Sequence, residues 1–358
     1  MLRPFATPHE TAPVIRAGGL VHRPLPVNLR AADRALFAHE LERAIPDTRL
    51  LELRGVSMDA SGLLFKGTQI LPESFSSPVA CARFFRDRGT LLKLAAANAI
   101  VRRRRTIAAS CLVISDDWSA GYFHWLLDCL ARLFAVKDRA RDLMLILPHA
   151  FERLEFVQAS LRLFPLGGVD YVRRGELVEC EHVVMPTHTA PSGNYNEGLA
   201  REVRRFILDA YRVDADVKAE DRLYVSRSRA PRRRIVNEAA VLDVFARFGF
   251  RVVHFEDHTF EQQVRLAASA SHVVSNHGAG LANMLFMRTG GGVLELRRTG
   301  ERERNWFFNL ANATGLAYYY QNCDADNPHS DAHAGHVIVD TKELEESLES
   351  FVAARMRS

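Results

Sequence analysis

A chain of 358 residues has room for two domains, or for two and an appendage. With 47% hydrophobic and 25% charged residues it has the composition of an ordinary globular protein, and a net charge of +4 is too small to argue for a nucleic-acid partner. Its five cysteines (Cys81, Cys111, Cys129, Cys180, Cys323) are odd in number and lack CxxC spacing, which argues against a zinc site or disulfide framework and for reduced thiols in the cytosol.

Residues 1–108 mix turn signals with short alternating stretches, Leu51-Glu52-Leu53 and Leu63-Leu64-Phe65-Lys66 among them, and are expected to form an irregular β-containing region. The N-terminus carries prolines and charges where a secretory signal needs an apolar core. No stretch approaches a transmembrane span. The arginine run Arg102–Arg105 precedes a strand and reads as a solvated or membrane-facing patch, so the cytosol, or the inner face of a membrane, is the expected location.

From Ile107 the pattern changes. Strands are expected at Ile107–Ile114, Leu143–Leu147, Val169–Val172 and His182–Met185, with helices at Tyr122–Phe134, Phe151–Leu163 and Glu197–Tyr211. That is an α/β unit, placed at 109–212. Within it Tyr122-Phe123-His124-Trp125-Leu126-Leu127-Asp128 follows Asp116-Asp117-Trp118. His124 and Asp128, four apart, share a helix face and can hydrogen-bond. A histidine held by a carboxylate can serve as general base on a hydroxyl; a buried histidine merely satisfied by an aspartate is the equal alternative. The polar stretch Val213–Asp221 reads as a linker.

A second unit, at 213–325, is more sharply written. Leu223–Val225, Arg251–Phe255, His272–Ser275 and Gly292–Leu296 read as strands alternating with helices. The first helix, Glu238–Phe248, has Asn237 as cap and Gly249 as stop; the second opens at Thr259 with Gln262 as a capping box. The third runs from the glycine loop through Leu281, Leu285 and Phe286, and the fourth spans roughly Glu303–Thr314. Such alternation implies a parallel, Rossmann-like sheet. Residues 326–358 form a tail with an amphipathic helix from Thr341, carrying Leu344, Leu348, Phe351 and Val352 on one face.

Ligands bind such sheets at the C-terminal strand ends, where helix N-termini attract anions. Two constellations lie there. Ser226-Arg227-Ser228-Arg229-Ala230-Pro231-Arg232-Arg233-Arg234 leads to Asn237-Glu238, and the planar guanidinium fork suits a diphosphate. Arg227, at the strand end, is the best placed; Asn237 reads as a cap and Glu238 as an arginine partner. The second is Ser275-Asn276-His277-Gly278-Ala279-Gly280, where small residues admit a ligand to free amides and His277 can donate to the same group. A turn needing glycine for φ alone is the bland alternative. Glu295 can bind ribose hydroxyls or pair with Arg297. The pair His254 and His258 is a weak metal candidate.

These residues, with Gln263, Leu281, Asn283, Phe286 and Val293-Leu294-Glu295-Leu296 in order, resemble glycosyltransferase family 61, found in bacterial capsular polysaccharide clusters and among eukaryotic protein- and xylan-modifying enzymes. The resemblance covers residues 110–320. It departs at Ala131, where such enzymes often have proline before the arginine matched by Arg132. It implies a GT-B architecture of two facing Rossmann-like domains and inverting transfer, without a bound metal or other cofactor, from a nucleotide sugar, UDP-linked by family habit. The partners are that donor and a glycan or other hydroxyl acceptor. The match favours Arg233 over Arg232 and Arg234. The expected mechanism is one in-line displacement, with His124 or Asp128 as base and Arg227, Arg233 and the amides of Gly278, Ala279 and Gly280 meeting the leaving diphosphate. A catalytically silent nucleotide- or sugar-binding subunit of a polysaccharide assembly complex is the rival. An RNA-binding protein lacks the interleaved aromatics.

Overall fold

The computed structural model describes residues 2–5, 9–99, 103–214, 219–331 and 334–353. Arg102 of the arginine run and residues 215–218 of the expected linker lie outside them. The chain folds as two compact units, the first of residues 1–19 and 45–192, the second of residues 20–44 and 193–358. No helix among the described residues is long and apolar enough to cross a membrane. All five cysteines are buried free thiols.

Unit 1 is built on a mixed sheet. The strand Thr48–Asp59 pairs antiparallel with Glu176–Pro186, which then runs parallel to Arg103–Leu112, followed by Met144–Pro148 and Gly168–Val172, also parallel. Leu51, Leu53, Val56 and Met58 alternate along the first strand and meet Val178, Cys180, Val183 and Met185 in one core, the period-two burial that fixes register. Residues 48–70 thus share a sheet with the α/β segment that follows. Arg103–Arg105 open a strand instead of preceding one. Arg105 donates two bonds to Asp170, at 2.5 and 2.9 Å, so its charge is spent within the sheet.

The expected helix Tyr122–Phe134 is interrupted. One α turn, Tyr122–His124, passes into a π segment, Trp125–Cys129, and then into the helix Leu130–Ala135. Two fully buried side chains anchor this stretch. Trp125 Nε1 donates to Ser160 Oγ at 2.9 Å, and Arg132 donates to the carbonyls of Ile114 and Pro186 at 2.8 and 2.9 Å. Single π turns of this kind recur at functional sites.

In unit 2 the strand order is Arg251–Val253, Asp221–Val225, Ala270–Asn276, Gly292–Arg298, Ala317–Ala325, all parallel, with Val337–Ile338 antiparallel at the far edge. Numbered by sequence, the parallel strands run 2-1-3-4-5. This is the doubly wound order whose switch point lies between the first and third strands, Asp221–Val225 and Ala270–Asn276. The tail belongs to this unit's core: Leu344, Leu348 and Phe351 pack with Tyr224, Phe245 and Leu294. Two local expectations differ from the structure. The glycine-loop helix is a 3-10 segment, Ala279–Phe286, and the fourth helix starts at Trp306; Glu295 lies inside its strand, Gly292–Arg298. The capping box of Thr259 and Gln262 is present as expected.

Candidate functional site

At the switch point the sequence Leu223-Tyr224-Val225 is buried, and Tyr224 stacks on Phe245 at 4.3 Å. The hydroxyls of Tyr224 and Ser226 both donate to Glu238 Oε1, at 2.7 and 2.6 Å. Glu238 therefore takes hydroxyl partners, not an arginine, and fixes where the arginine loop leaves the strand. Asn237 makes no cap bond. Its side chain instead exchanges two hydrogen bonds with the backbone of Val339, tying the tail to the loop.

The loop sorts its arginines. Arg229 is spent on Asp257 at 2.5 and 2.6 Å, and Arg232 and Arg234 are exposed. Arg227 and Arg233 are half-buried, and in each the Nε is buried without an acceptor. Arg233 has φ +55°, a left-handed conformation that costs a non-glycine residue free energy. Bonds on either side hold it there: its carbonyl accepts from Asn276 Nδ2, and its N–H donates to the carbonyl of Ala334.

The glycine turn meets this loop. Gly278 has φ 179°, extended backbone open to any residue, so its φ does not require glycine. Space does: a Cβ at position 278 would lie 2.1 Å from Nη1 and 2.8 Å from Cδ of Arg227. At Gly280 the corresponding atom would press on Val225 at 3.1 Å. The two constellations read separately from sequence are thus one site, with Arg227 lying across Gly278.

Beside the turn, His277 Nδ1 lies 2.5 Å from Glu295 Oε1, and Glu295 Oε2 accepts from the Tyr318 hydroxyl at 2.6 Å. Glu295 is completely buried, so its carboxylate serves His277 and does not reach a ribose; the Arg297 guanidinium bonds Asn305, Tyr318 and the carbonyl of Glu301. Burial would push the Glu295 carboxyl up, but the charge and hydrogen bond of His277, with Arg297, outweigh it and hold the group below its ordinary value. Burial, with the like charges of Arg233 and Arg297, holds His277 below its ordinary value although the charge and bond of Glu295 raise it. The pair is a carboxylate accepting Nδ1–H from a neutral imidazole, which leaves Nε2 an acceptor until the ring is protonated. His277 can therefore donate to an anion only by taking up a proton.

Nε2 is the free nitrogen of a ring that lines a narrow cleft with Arg233, Asn276, Arg298 and Arg304. Burial, then the like charges of Arg227 and Arg304, push Arg233 down to about 10, still protonated at neutral pH. Glu301 also lines the cleft and pairs with Arg304 at 3.6 Å, but the guanidinium groups outnumber it and favour an anion. The cleft measures about 30 Å³ and so admits one small group, leaving the rest of any larger ligand outside it. Asn276 stood in the second constellation without a role of its own, and Arg304 and Tyr318 were not singled out by sequence. Arg304 falls in the charged start of the expected fourth helix, and Tyr318 is one of three consecutive tyrosines.

In unit 1, His124 Nδ1 and Asp128 Oδ2 are 2.8 Å apart across the π turn, and Ser192 Oγ donates to the same Asp128 oxygen at 3.2 Å. A second such pair joins His188 Nε2 to Asp116 Oδ2 at 2.9 Å. Burial would raise the Asp116 carboxyl, yet the bond and charge of His188, with Arg132, hold it well below the carboxylate range. Asp117 instead accepts from the Ser76 amide at 2.7 Å. His254 is engaged by Ser228, and Gln263 and Asn283 bond each other at 3.1 Å. Among the described residues no three His, Cys, Asp or Glu side chains are grouped to hold a metal ion.

Residues 122–294 match the family model described as Glycosyltransferase 61. Curated relatives include the protein O-linked-mannose beta-1,4-N-acetylglucosaminyltransferase 2 of Xenopus laevis, 33% identical over 135 residues, covering 36% of this chain and 23% of that protein. The Homo sapiens protein of the same name is 38% identical over 100 residues (27% and 17%), and that of Bos taurus 44% over 72 (19% and 12%). The chain thus matches less than a quarter of the length of these relatives. The match takes in the His124–Asp128 pair, the arginine loop, the His277 turn and the start of the strand that carries Glu295. Over residues 122–294 the chain is thus similar to glycosyltransferase family 61.

Proposed function

We propose that the chain is an inverting glycosyltransferase that moves a sugar from a nucleotide-sugar donor to a hydroxyl of a glycan or glycoconjugate. One observation carries the reading. At the switch point of unit 2, Arg227 lies across Gly278, while Arg233 and Arg304 gather beside the His277 cleft. That is a preformed place for the charge of a leaving diphosphate, and the guanidinium groups take the part a metal ion plays elsewhere. The family match over residues 122–294 and the names of the relatives support the reaction class. A UDP-linked donor and a GT-B pairing of the units belong to the same proposal, as does synthesis of polysaccharide or glycoprotein glycans at the cytoplasmic side of a membrane.

The displacement forms a bond from the acceptor oxygen to the anomeric carbon as the bond to the diphosphate oxygen breaks. The acceptor proton goes to a base, and the His124–Asp128 pair has the chemistry for it: a histidine whose Nδ1 lies 2.8 Å from a carboxylate. The electron pair of the broken bond is left on the diphosphate, where Arg227, Arg233 and the Gly278–Gly280 amides meet it. Incubating the protein with a panel of nucleotide sugars and measuring released nucleotide tests this. Slow hydrolysis of one donor, accelerated by a glycan acceptor, is expected. Tight donor binding without turnover for any acceptor would favour the silent subunit.

A further inference from the structure

The sheet of unit 2 has an opposite edge, at the N-terminal ends of its strands, that the donor reading leaves unused. Two hollows adjoin there. The larger, about 760 Å³, is mostly apolar, with Leu25, Val27, Leu316, Tyr319 and Phe351 in its wall. That volume lies within the range of small-molecule sites. The smaller, about 500 Å³, is lined by Arg201, Arg204, Arg205 and Arg288, with Asp209 and Asp214 also present. Thr289 lines both, and Arg204 Nη1 donates to its hydroxyl at 3.2 Å, so Arg204 stands where the two meet.

The arginines are not equivalent. Arg201 is engaged by Glu197 and the carbonyl of Ala313, and Arg288 donates to the carbonyl of Asp214. Arg204 has no carboxylate partner among the described residues, and its Nε is buried and bonded to nothing. Burial and the like charges of Arg288 and Arg205 press it down to about 10. A half-buried cation facing other cations is costly until an anion joins it. Two guanidinium forks and a hydroxyl offer more donors than a carboxylate can take, and match the three terminal oxygens of a phosphate monoester.

We propose that this edge of unit 2 binds an amphiphilic phosphate, its head at Arg204, Arg205 and Thr289 and its alkyl chain in the apolar hollow. Decyl phosphate, kept below its micelle concentration, decanol and inorganic phosphate are titrated calorimetrically into the full chain. Decyl phosphate should bind at least tenfold more tightly than either of the others. Arg204→Gln should weaken it at least tenfold, and so should Val27→Glu, a change at an exposed rim position that leaves the core intact. Equal binding of inorganic phosphate would mark a simple anion site, and equal binding of decanol a greasy hollow; either overturns the inference. So does unchanged affinity in either variant whose circular dichroism matches the parent. UDP titrated into the same variants should bind as it does to the parent, because the two edges are separate. Failure of the parent to bind UDP would sink the donor reading and leave this one standing.

Discussion

Replacing Gly278 with alanine adds one methyl group and tests the donor site at its tightest point. The new Cβ would lie 2.1 Å from Nη1, 2.6 Å from Cζ and 2.8 Å from Cδ of Arg227. Contacts between such atoms settle at about 3.5–4 Å, so from 2.1 Å the guanidinium nitrogen must withdraw by roughly 1.5–2 Å. A charge-assisted hydrogen bond does not survive that displacement, and its loss costs about 1.5–3 kcal/mol, or roughly ten- to a hundredfold in affinity. The fold should not suffer: φ 179° and ψ 164° suit alanine, and alanine restricts the unfolded chain more than glycine does. The assay is calorimetric titration of UDP against uridine, with thermal melting alongside. UDP should bind the parent well above uridine, and Gly278→Ala should erase most of that margin while the melting temperature holds. Because the methyl acts through Arg227, Arg227→Ala and the double variant should match each other, a non-additivity that double-mutant analysis isolates. Arg103→Ala, on an exposed side chain of unit 1, should leave UDP binding unchanged. Additive losses, or UDP affinity retained in Gly278→Ala, would refute the placement of the diphosphate.

The sheet of unit 2 was legible because its strands and helices alternate with local signals, such as the Thr259 box and the apolar run His272-Val273-Val274-Ser275, that need no tertiary information. That the arginine loop and the glycine turn share one edge followed from where they fall in that alternation. What local pattern does not carry is which side chains face each other. Gly278 read as a small residue that admits a ligand to the backbone, whereas the side chain its missing Cβ makes room for is Arg227, some fifty positions away. Asn237 had every mark of a cap, but a cap gains one bond, and the passing backbone of Val339 offered two. Glu295 read as a ligand residue because a carboxylate near a strand end has two fates, solvent or a partner. Tyr318 and His277, each remote in sequence, supplied the partner. The N-terminal strands were the least legible, since Thr48–Asp59 finds its partner more than a hundred residues away.

Three further outcomes are expected. Asp128→Asn should lower kcat by about 10²–10⁴, the usual worth of a general base, with donor Kd unchanged; equal loss in kcat and donor binding would make the pair structural. Activity should persist in excess chelator, because Arg227, Arg233 and Arg304 already offset the diphosphate, and full loss restored by manganese would overturn that assignment. The last concerns pH. His277 and Glu295 are both held below their ordinary values, so each binds fewer protons in the folded chain than in the unfolded one. The stability they contribute is complete above the unfolded histidine value, about 6.5, and is lost as pH falls through their folded values. Donor binding should run the other way. A diphosphate beside Nε2 favours the imidazolium and turns the nitrogen from acceptor to donor, so binding takes up a proton and tightens as pH falls from 8 to 6.5. Titrations in buffers of different ionisation enthalpy count that proton. His277→Gln should abolish both the uptake and the pH dependence; uptake undiminished in that variant would place the titrating group elsewhere.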